Sequence, residues 1–181
     1  MAWKTIHSES VLETPYVKVN KDDVITDFGM EIKDFYTVWL HDAVGVVALT
    51  PEQKIILKKE YRYSQREETT EIPAGMIEKN ESDPLLAAKR ELLEETGYES
   101  DCWTYIGPVA ENTSKLTNRA HLYIAENCMK TFEQKLDQTE SISLFITDFD
   151  NAVDMVMNQE IISGITAYGI LYTETRKKRN G

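Results

Sequence analysis

The chain has 181 residues, of which 41% are hydrophobic and 28% charged, and its formal net charge at pH 7 is −11. This composition is typical of a globular protein with one sizeable core, and the negative charge excludes a basic surface for nucleic acid or membrane headgroups. No apolar run approaches the roughly 20 residues that span a bilayer, so we expect no membrane segment.

The N-terminal residues MAWKTIHSES lack the apolar core of a signal peptide. We therefore expect a cytoplasmic protein. In that compartment Cys102 and Cys128 are expected to be reduced core thiols rather than a disulfide.

Residues 3–40 contain short alternating runs of apolar and polar side chains, which predict strands and a hairpin. Turns are expected at residues 21–23, which read Lys-Asp-Asp, and at Gly29. Residues 43–49 are almost continuously apolar, as in a strand buried on both faces. The turn at residues 50–53 leads to a second strand that becomes charged before residue 63.

Two arginines, Arg62 and Arg66, follow this second strand. A guanidinium fork suits a diphosphate or a ribose edge, but either arginine would also suit a surface salt bridge. Both interpretations stay open at this point.

Residues 71–98 predict a loop followed by a helix. Asp83 or Ser82 suits the N-cap, Pro84 suits the first turn, and Gly97 suits a left-handed C-cap. One face of this helix is apolar, through Leu85, Ala88, Leu92 and Leu93.

The end of this helix is acidic. Glu91, Glu94 and Glu95 fall on one side of a helix, where like charges repel and acids oppose the helix dipole. A bound Mg²⁺ or Mn²⁺ would compensate them, with Arg90 holding one carboxylate in place. The alternative for these four residues alone is a solvated acidic helix face.

The remaining chain predicts strands at residues 102–106, 120–125 and 142–146, followed by two helices that begin near Asp148 or Asp150 and near Ser163. Lys115 and Arg119 lie in a long polar loop, where they either contact phosphate or only solvate the loop. The basic residues 176–180 suit a solvated helix end.

The region from Gly75 to Tyr98 resembles the Nudix box, G-x5-E-x7-R-E-U-x-E-E-x-G-U, where U is a bulky apolar residue. The matching positions are Gly75, Glu81, Arg90, Glu91, Leu92, Glu94, Glu95, Gly97 and Tyr98. Eight residues, not seven, separate Glu81 from Arg90. Either one residue is inserted before the helix, or Ser82 occupies the acidic position.

Residues 44–75, with their EYRY and EIPAG pieces, are similar to the ADP-ribose pyrophosphatase branch of this family. The resemblance implies that Glu91, Glu94, Glu95 and the Ala74 carbonyl bind Mg²⁺ or Mn²⁺. Pro73 and Gly75 imply that the backbone at Ala74 is shaped rather than extended.

The same resemblance assigns further roles. Arg90, Glu94, Glu95 and Glu140 are the catalytic candidates, with Glu111 as the rival of Glu140. Arg62 and Glu71 are expected near the substrate, and Trp3 either stacks on an adenine ring or only packs. Residues 112–115 replace a Ser-Pro-Gly piece of many relatives, which leaves the identity of the nucleotide open.

We therefore expect a fold of the α/β (α+β) class, an α/β/α sandwich on a mixed sheet. The resemblance implies an N-terminal β-subdomain over residues 1–42, which helps form a homodimer, and a hydrolase domain over residues 43–181. The expected reaction is metal-dependent hydrolysis of a nucleoside diphosphate sugar, most simply ADP-ribose to AMP and ribose 5-phosphate. The alternative is a non-hydrolytic Nudix module that senses a nucleotide ligand.

Overall fold

The computed structural model describes residues 2–180. They divide into two compact units, the first made of the residues up to Asp42 with Ala110–Arg119, and the second of Ala43–Val109 with the residues from Ala120 onward. Met1 and Gly181, the outer ends of the two expected domains, lie outside the described residues.

The first unit is a three-stranded antiparallel sheet in the order β1-β2-β3. Its strands are β1 (Lys4–Glu13), β2 (Val17–Ile25) and β3 (Glu31–Leu40). The predicted turn at Gly29 is confirmed, because Gly29 has a φ of 85° and the Thr26 hydroxyl accepts a hydrogen bond from the Met30 amide at 2.9 Å.

The predicted turn at residues 21–23 is wrong, because β2 runs through these residues without a break. The Asp22 carboxylate is buried and accepts hydrogen bonds from the Ser8 hydroxyl at 2.5 Å and the Thr37 hydroxyl at 3.1 Å. These partners lie on the two neighbouring strands. Cross-strand hydrogen bonds therefore satisfy the Asp22 carboxylate within a strand, although the turn preference of residues 21–23 alone predicts a loop.

The second unit is built on a mixed sheet in the order β12-β5-β4-β10-β9, with β6 also paired to β5 and β7 to β4. Among the described strand pairs of this sheet, only the β4–β10 pair is parallel. The bounds are β4 (Ala43–Leu49), β5 (Lys54–Arg62), β6 (Glu67–Glu71), β7 (Ala74–Met76), β9 (Cys102–Val109), β10 (Ala120–Glu126) and β12 (Ile142–Asp148). The short strands β8 (Tyr98–Glu99) and β11 (Met129–Lys130) form a separate pair.

Helices cover both faces of this sheet. They are α1 (Pro84–Thr96), α2 (Phe149–Met157) and α3 (Gly164–Asn180). Successive side chains of β4 point to opposite faces, so Val46 packs in one cluster with Ala88 of α1, and Val47 packs in the other with Ile170 of α3. The expected α/β/α sandwich on a mixed sheet is confirmed.

Helix α1 has the predicted ends. The Asp83 carboxylate accepts a hydrogen bond from the Leu85 amide at 2.9 Å, so Asp83 rather than Ser82 is the N-cap. Gly97 ends the helix with a φ of 74°, and its amide donates to the Leu93 carbonyl at 2.8 Å. These local signals fix where the acidic end of α1 stops.

Both cysteines are free thiols. Cys128 is buried, and burial raises the pKa of its thiol to about 12. Cys102 is exposed, so the expectation of a core thiol is wrong for this residue, which lies on the outermost strand β9. None of the described helices is both long enough and apolar enough to cross a membrane.

Candidate active site

A polar cleft of about 260 Å³ lies in the second unit, where β5 and β7 meet the C-terminal half of α1. Two other cavities, of about 330 and 510 Å³, are larger but lack the acidic end of α1. We assign the site to the cleft because chemistry, not volume, distinguishes it. Its lining residues are Lys58, Glu60, Arg62, Ala74, Gly75, Met76, Glu78, Arg90, Glu91, Glu95, Asp137 and Glu140.

Glu95 is the most deeply buried carboxylate of this cleft, with 3% of the residue exposed. One of its oxygens contacts the Lys58 ammonium, and the other accepts a hydrogen bond from the Ala74 amide at 2.9 Å. Burial raises the pKa of Glu95 to about 7, although the nearby Lys58 opposes this rise. Glu95 thus joins α1 to the β5 and β7 strands.

Arg90 organises the carboxylates around it. Its guanidinium donates to both Glu81 oxygens at 2.8 and 2.9 Å, to Glu91 at 2.8 Å and to Glu94 at 3.2 Å. A further hydrogen bond reaches the Met76 carbonyl at 3.0 Å. The bidentate pair with Glu81, followed by the charges of Glu91 and Glu94, raises the pKa of Arg90.

The longer spacing before the helix does not displace Glu81. The Glu81 amide donates to the Glu78 carbonyl at 3.0 Å, and the Glu81 carboxylate accepts from the Glu78 amide at 2.9 Å. This turn absorbs the additional residue, whereas Ser82 is exposed. The geometry therefore agrees with one inserted residue before the helix, rather than with Ser82 in the acidic position.

Gly75 leaves room for a neighbouring side chain rather than providing an unusual backbone angle. Residues Ala74–Met76 are extended and pair with β4, so the expectation of a shaped, non-extended backbone is wrong at Ala74. Pairing with the buried central strand holds this segment straight. A Cβ atom at Gly75 would overlap the Glu91 carboxylate. Burial raises the pKa of that carboxylate, against the opposing charge of Arg90.

Arg62 lines the cleft and forms a fork with Glu71, at 3.0 Å from its Nε and 2.5 Å from its Nη2. Burial raises the pKa of Glu71, but hydrogen bonds from Arg62 and Thr69 outweigh that effect and lower it. Arg66 instead stacks on the Tyr63 ring at 3.7 Å and does not line the cleft. The geometry therefore favours Arg62 over Arg66.

Glu140 lines the cleft from the loop before β12, where its carboxylate accepts a hydrogen bond from the Asp137 amide at 2.9 Å. Its rival, Glu111, is exposed and belongs to the first unit. Trp3 also belongs to the first unit. Its ring is half exposed and lies edge-on to Phe35 at 6.0 Å.

The two loop cations of the first unit have partners there. The Lys115 ammonium lies 4.4 Å from the Phe35 ring centroid, and the Arg119 guanidinium donates to the Asn118 carbonyl at 3.2 Å. These contacts agree with cations that solvate and brace the loop.

Lys58 and Glu60 line the cleft but were not singled out from the sequence. The signal was the two-residue period of β5. Ile56 packs in the α1 cluster, so residues 58, 60 and 62 follow it on the same face. A lysine within the buried stretch of a strand is therefore a sequence signal for a polar site on that face of the sheet.

The donors of this cleft fit a hard divalent cation. Carboxylate and carbonyl oxygens are the preferred ligands of Mg²⁺ and Mn²⁺, and Glu91, Glu95 and the Ala74 carbonyl supply them. The third predicted ligand, Glu94, does not line the cleft and is joined to it through Arg90. The raised pKa values of Glu91 and Glu95 mark buried negative charge that a cation relieves. Within residues 2–180, no three acidic, His or Cys side chains already converge on one point, because Arg90 and Lys58 hold these carboxylates.

The NUDIX domain family matches residues 39–159 of this chain. The chain, with its mixed sheet between helices and its acidic helix end, therefore belongs to the Nudix family.

Relatives narrow the class to a Nudix hydrolase similar to ADP-ribose pyrophosphatases. The ADP-ribose pyrophosphatase of Bacillus subtilis (strain 168) is 32% identical, over 96% of this chain and 94% of its own. The methanol dehydrogenase activator of Bacillus methanolicus is 33% identical over the same shares. The ADP-ribose pyrophosphatase of Mycobacterium tuberculosis is 24% identical over 93% of this chain and 82% of its own.

A crystal structure described as an ADP compounds hydrolase superposes with a TM-score of 0.85. The alignment covers 100% of this chain and 97% of that chain, at 17% sequence identity. This likeness shows that the two chains share a fold.

Proposed function

We propose that this Nudix hydrolase cleaves the diphosphate of a nucleoside diphosphate sugar, with ADP-ribose as the leading substrate and AMP and ribose 5-phosphate as products. The observation that carries the proposal is one cleft that joins Glu91, Glu95, the Ala74 backbone and Arg62. The ADP-ribose pyrophosphatase relatives, which match nearly the whole chain, support the choice of substrate.

A cation in this cleft would offset the charge of the substrate. The box carboxylates and the Ala74 carbonyl are the candidate ligands for Mg²⁺ or Mn²⁺, which would neutralise charge on the diphosphate and acidify water. Local positive charge matters here because the protein as a whole carries −11 and repels anions.

The side chains of the chain have distinct tasks in this proposal. Arg62 presents a guanidinium, held by Glu71, to the anionic substrate. Arg90 orients Glu91 and Glu94 as a positioning residue. Glu140 either takes the proton from the attacking water or holds a further cation. The stacking of Trp3 on an adenine ring stays a prediction.

Turnover on a panel of nucleotide sugars tests the reaction. The panel contains ADP-ribose, ADP-glucose, GDP-mannose, UDP-glucose, FAD and NADH, each measured by chromatography with Mg²⁺ and then with EDTA. We expect ADP-ribose to be cleaved fastest, and EDTA to abolish cleavage because the carboxylates alone cannot offset the diphosphate charge.

A second candidate function is binding without hydrolysis. It is favoured by the relative described as an activator, which is as similar to this chain as the Bacillus subtilis pyrophosphatase is. Absence of turnover across the panel, with a rise in melting temperature for one compound, would replace the hydrolase proposal with this one. The intact set of box glutamates favours hydrolysis.

We also propose that the protein is a homodimer formed through the first unit. Exposed large apolar side chains are concentrated in its strands and turns, and apolar patches of this kind mark protein–protein contacts. They are Trp3, Ile6, Val11, Leu12, Tyr16, Phe28, Met30, Tyr36 and Trp39.

The free thiols agree with a reducing, cytoplasmic location.

Light scattering after size exclusion tests the dimer. Leu12→Asp places a charge among the exposed apolar side chains of the first unit and is expected to convert a dimer into a monomer, since a desolvated carboxylate opposes association. Met157→Asp, which changes an exposed apolar residue of α2 in the second unit, is the control and is expected to leave the dimer intact. A monomeric parent protein would contradict the proposal.

A further inference from the structure

Lys58 is buried to an extent that is rare for lysine, with 1% of the residue exposed. It follows Ile55, Ile56 and Leu57, which are fully buried, on strand β5. A charge in such a position requires close partners, because desolvation of an unpaired ammonium is costly. The partners of Lys58 therefore indicate what it does.

The Lys58 ammonium has three oxygen neighbours, as many as it has N–H groups. It contacts one oxygen of Glu95, lies 3.2 Å from a Glu60 oxygen, and lies 3.5 Å from the Ala74 carbonyl. Glu60 is itself held by Arg62 through its second oxygen at 2.9 Å. The ammonium is thus fixed from three sides by β5, β7 and α1.

Two of these three neighbours are among the proposed metal ligands. Glu95 and the Ala74 carbonyl converge on the Lys58 nitrogen, while the second Glu95 oxygen is engaged by the Ala74 amide. Among residues 2–180, Glu91 and Glu94 form no hydrogen bond or ion pair with Lys58, although the Lys58 charge acts on Glu91, and both are held by Arg90 instead. The carboxylates of the helix end are therefore divided between a lysine side and an arginine side.

We infer that Lys58 takes the place of one divalent cation, acting as a built-in counter-ion at Glu95 and the Ala74 carbonyl. The inference rests on the proposed function and deepens it, because it concerns the number of metal ions in the same cleft. With Lys58 in place, exchangeable cations are confined to the Glu91 and Glu94 side. Lys58 is a positioning residue, since it acts through Glu95.

The number of bound Mn²⁺ ions tests this inference without reference to activity. Free Mn²⁺ is counted by electron paramagnetic resonance during titration of the parent protein and of Lys58→Met. We expect the variant to bind one Mn²⁺ more per chain, because its Glu95 and Ala74 oxygens are released. Lys58→Arg, which keeps the charge, is expected to bind the parent number.

Lys59→Met is the matched control. Lys59 is the next residue of the same strand, its side chain is 46% exposed, and it pairs loosely with Glu68 at 3.8 Å. It is expected to leave the number of Mn²⁺ ions unchanged. The double variant Lys58→Met with Glu95→Gln is expected to return to the parent number, because the additional ion needs the Glu95 carboxylate.

Equal Mn²⁺ numbers in the parent and Lys58→Met would overturn the inference. If Lys58→Met is unfolded without metal, Mn²⁺ is expected to restore its circular dichroism spectrum, and failure of Mn²⁺ to do so would also overturn it. A parent protein that binds no Mn²⁺ would instead overturn the metal site of the proposed function. The two failures are therefore distinguishable.

Discussion

Glu95→Gln is expected to retain the fold and to lower turnover about 100-fold, the scale of loss when the hydrogen bonds around a metal site are disturbed. Both Glu95 oxygens face donors, the Lys58 ammonium on one side and the Ala74 amide on the other. A glutamine must turn its own NH₂ group toward one of them. Either orientation breaks a hydrogen bond that positions the cleft.

Steady-state kinetics on ADP-ribose and a urea titration measure this effect. The free energy of unfolding is expected to fall by about 1–3 kcal/mol, the usual cost of a buried donor without a partner. Lys58 keeps Glu60 as a second partner, so the variant still folds. Glu133→Gln, whose side chain is 90% exposed, is the control with unchanged kinetics. Normal turnover in Glu95→Gln would refute the site assignment.

Arg90→Lys is expected to reduce kcat about 10- to 100-fold, although it conserves the charge. The guanidinium of Arg90 reaches Glu81, Glu91 and Glu94 at once, in a planar arrangement that a single ammonium cannot copy. Loss of the Glu91 contact leaves a buried carboxylate without its donor. The acidic end of α1 would then lose its fixed geometry.

Separate values of kcat and KM distinguish this effect from a loss of substrate binding. We expect most of the change to appear in kcat, because Arg90 orients the carboxylates of α1. Arg62, which is held by Glu71, is the arginine proposed to contact the substrate, so KM is expected to change less. Arg66→Lys serves as the control, since Arg66 stacks on Tyr63 and does not line the cleft. A change confined to KM would show that Arg90 contacts the substrate rather than the carboxylates.

The features that the sequence predicted correctly depend on neighbouring residues. The ends of α1 follow from Asp83, Pro84 and Gly97, which act within one turn of their own positions. The buried strand β4 follows from its continuous apolar run. The family resemblance then gave the box glutamates their expected roles, which stay predictions until they are measured.

The features that the sequence did not predict depend on distant residues. Asp22 lies in a strand because Ser8 and Thr37 satisfy it from neighbouring strands. Residues Ala110–Arg119 join the first unit, although they follow the second unit's strand β9. The role of Lys58 becomes apparent only in the folded chain, where Glu95, 37 positions later, lies beside it. Local patterns do not contain these pairings.

The order of these elements along the chain has a consequence for folding kinetics. The central strand β4 pairs with β5 nearby in sequence, through Ala48 with Ile56, but Ala43 pairs with Ala120, which is 120 − 43 = 77 positions away. Closing so long a loop costs more entropy than forming the local pairs, so β10 is expected to join the sheet late. Until β10 joins, the edge of β4 that it covers would stay open, while α1 with its mutually repelling carboxylates would already be formed.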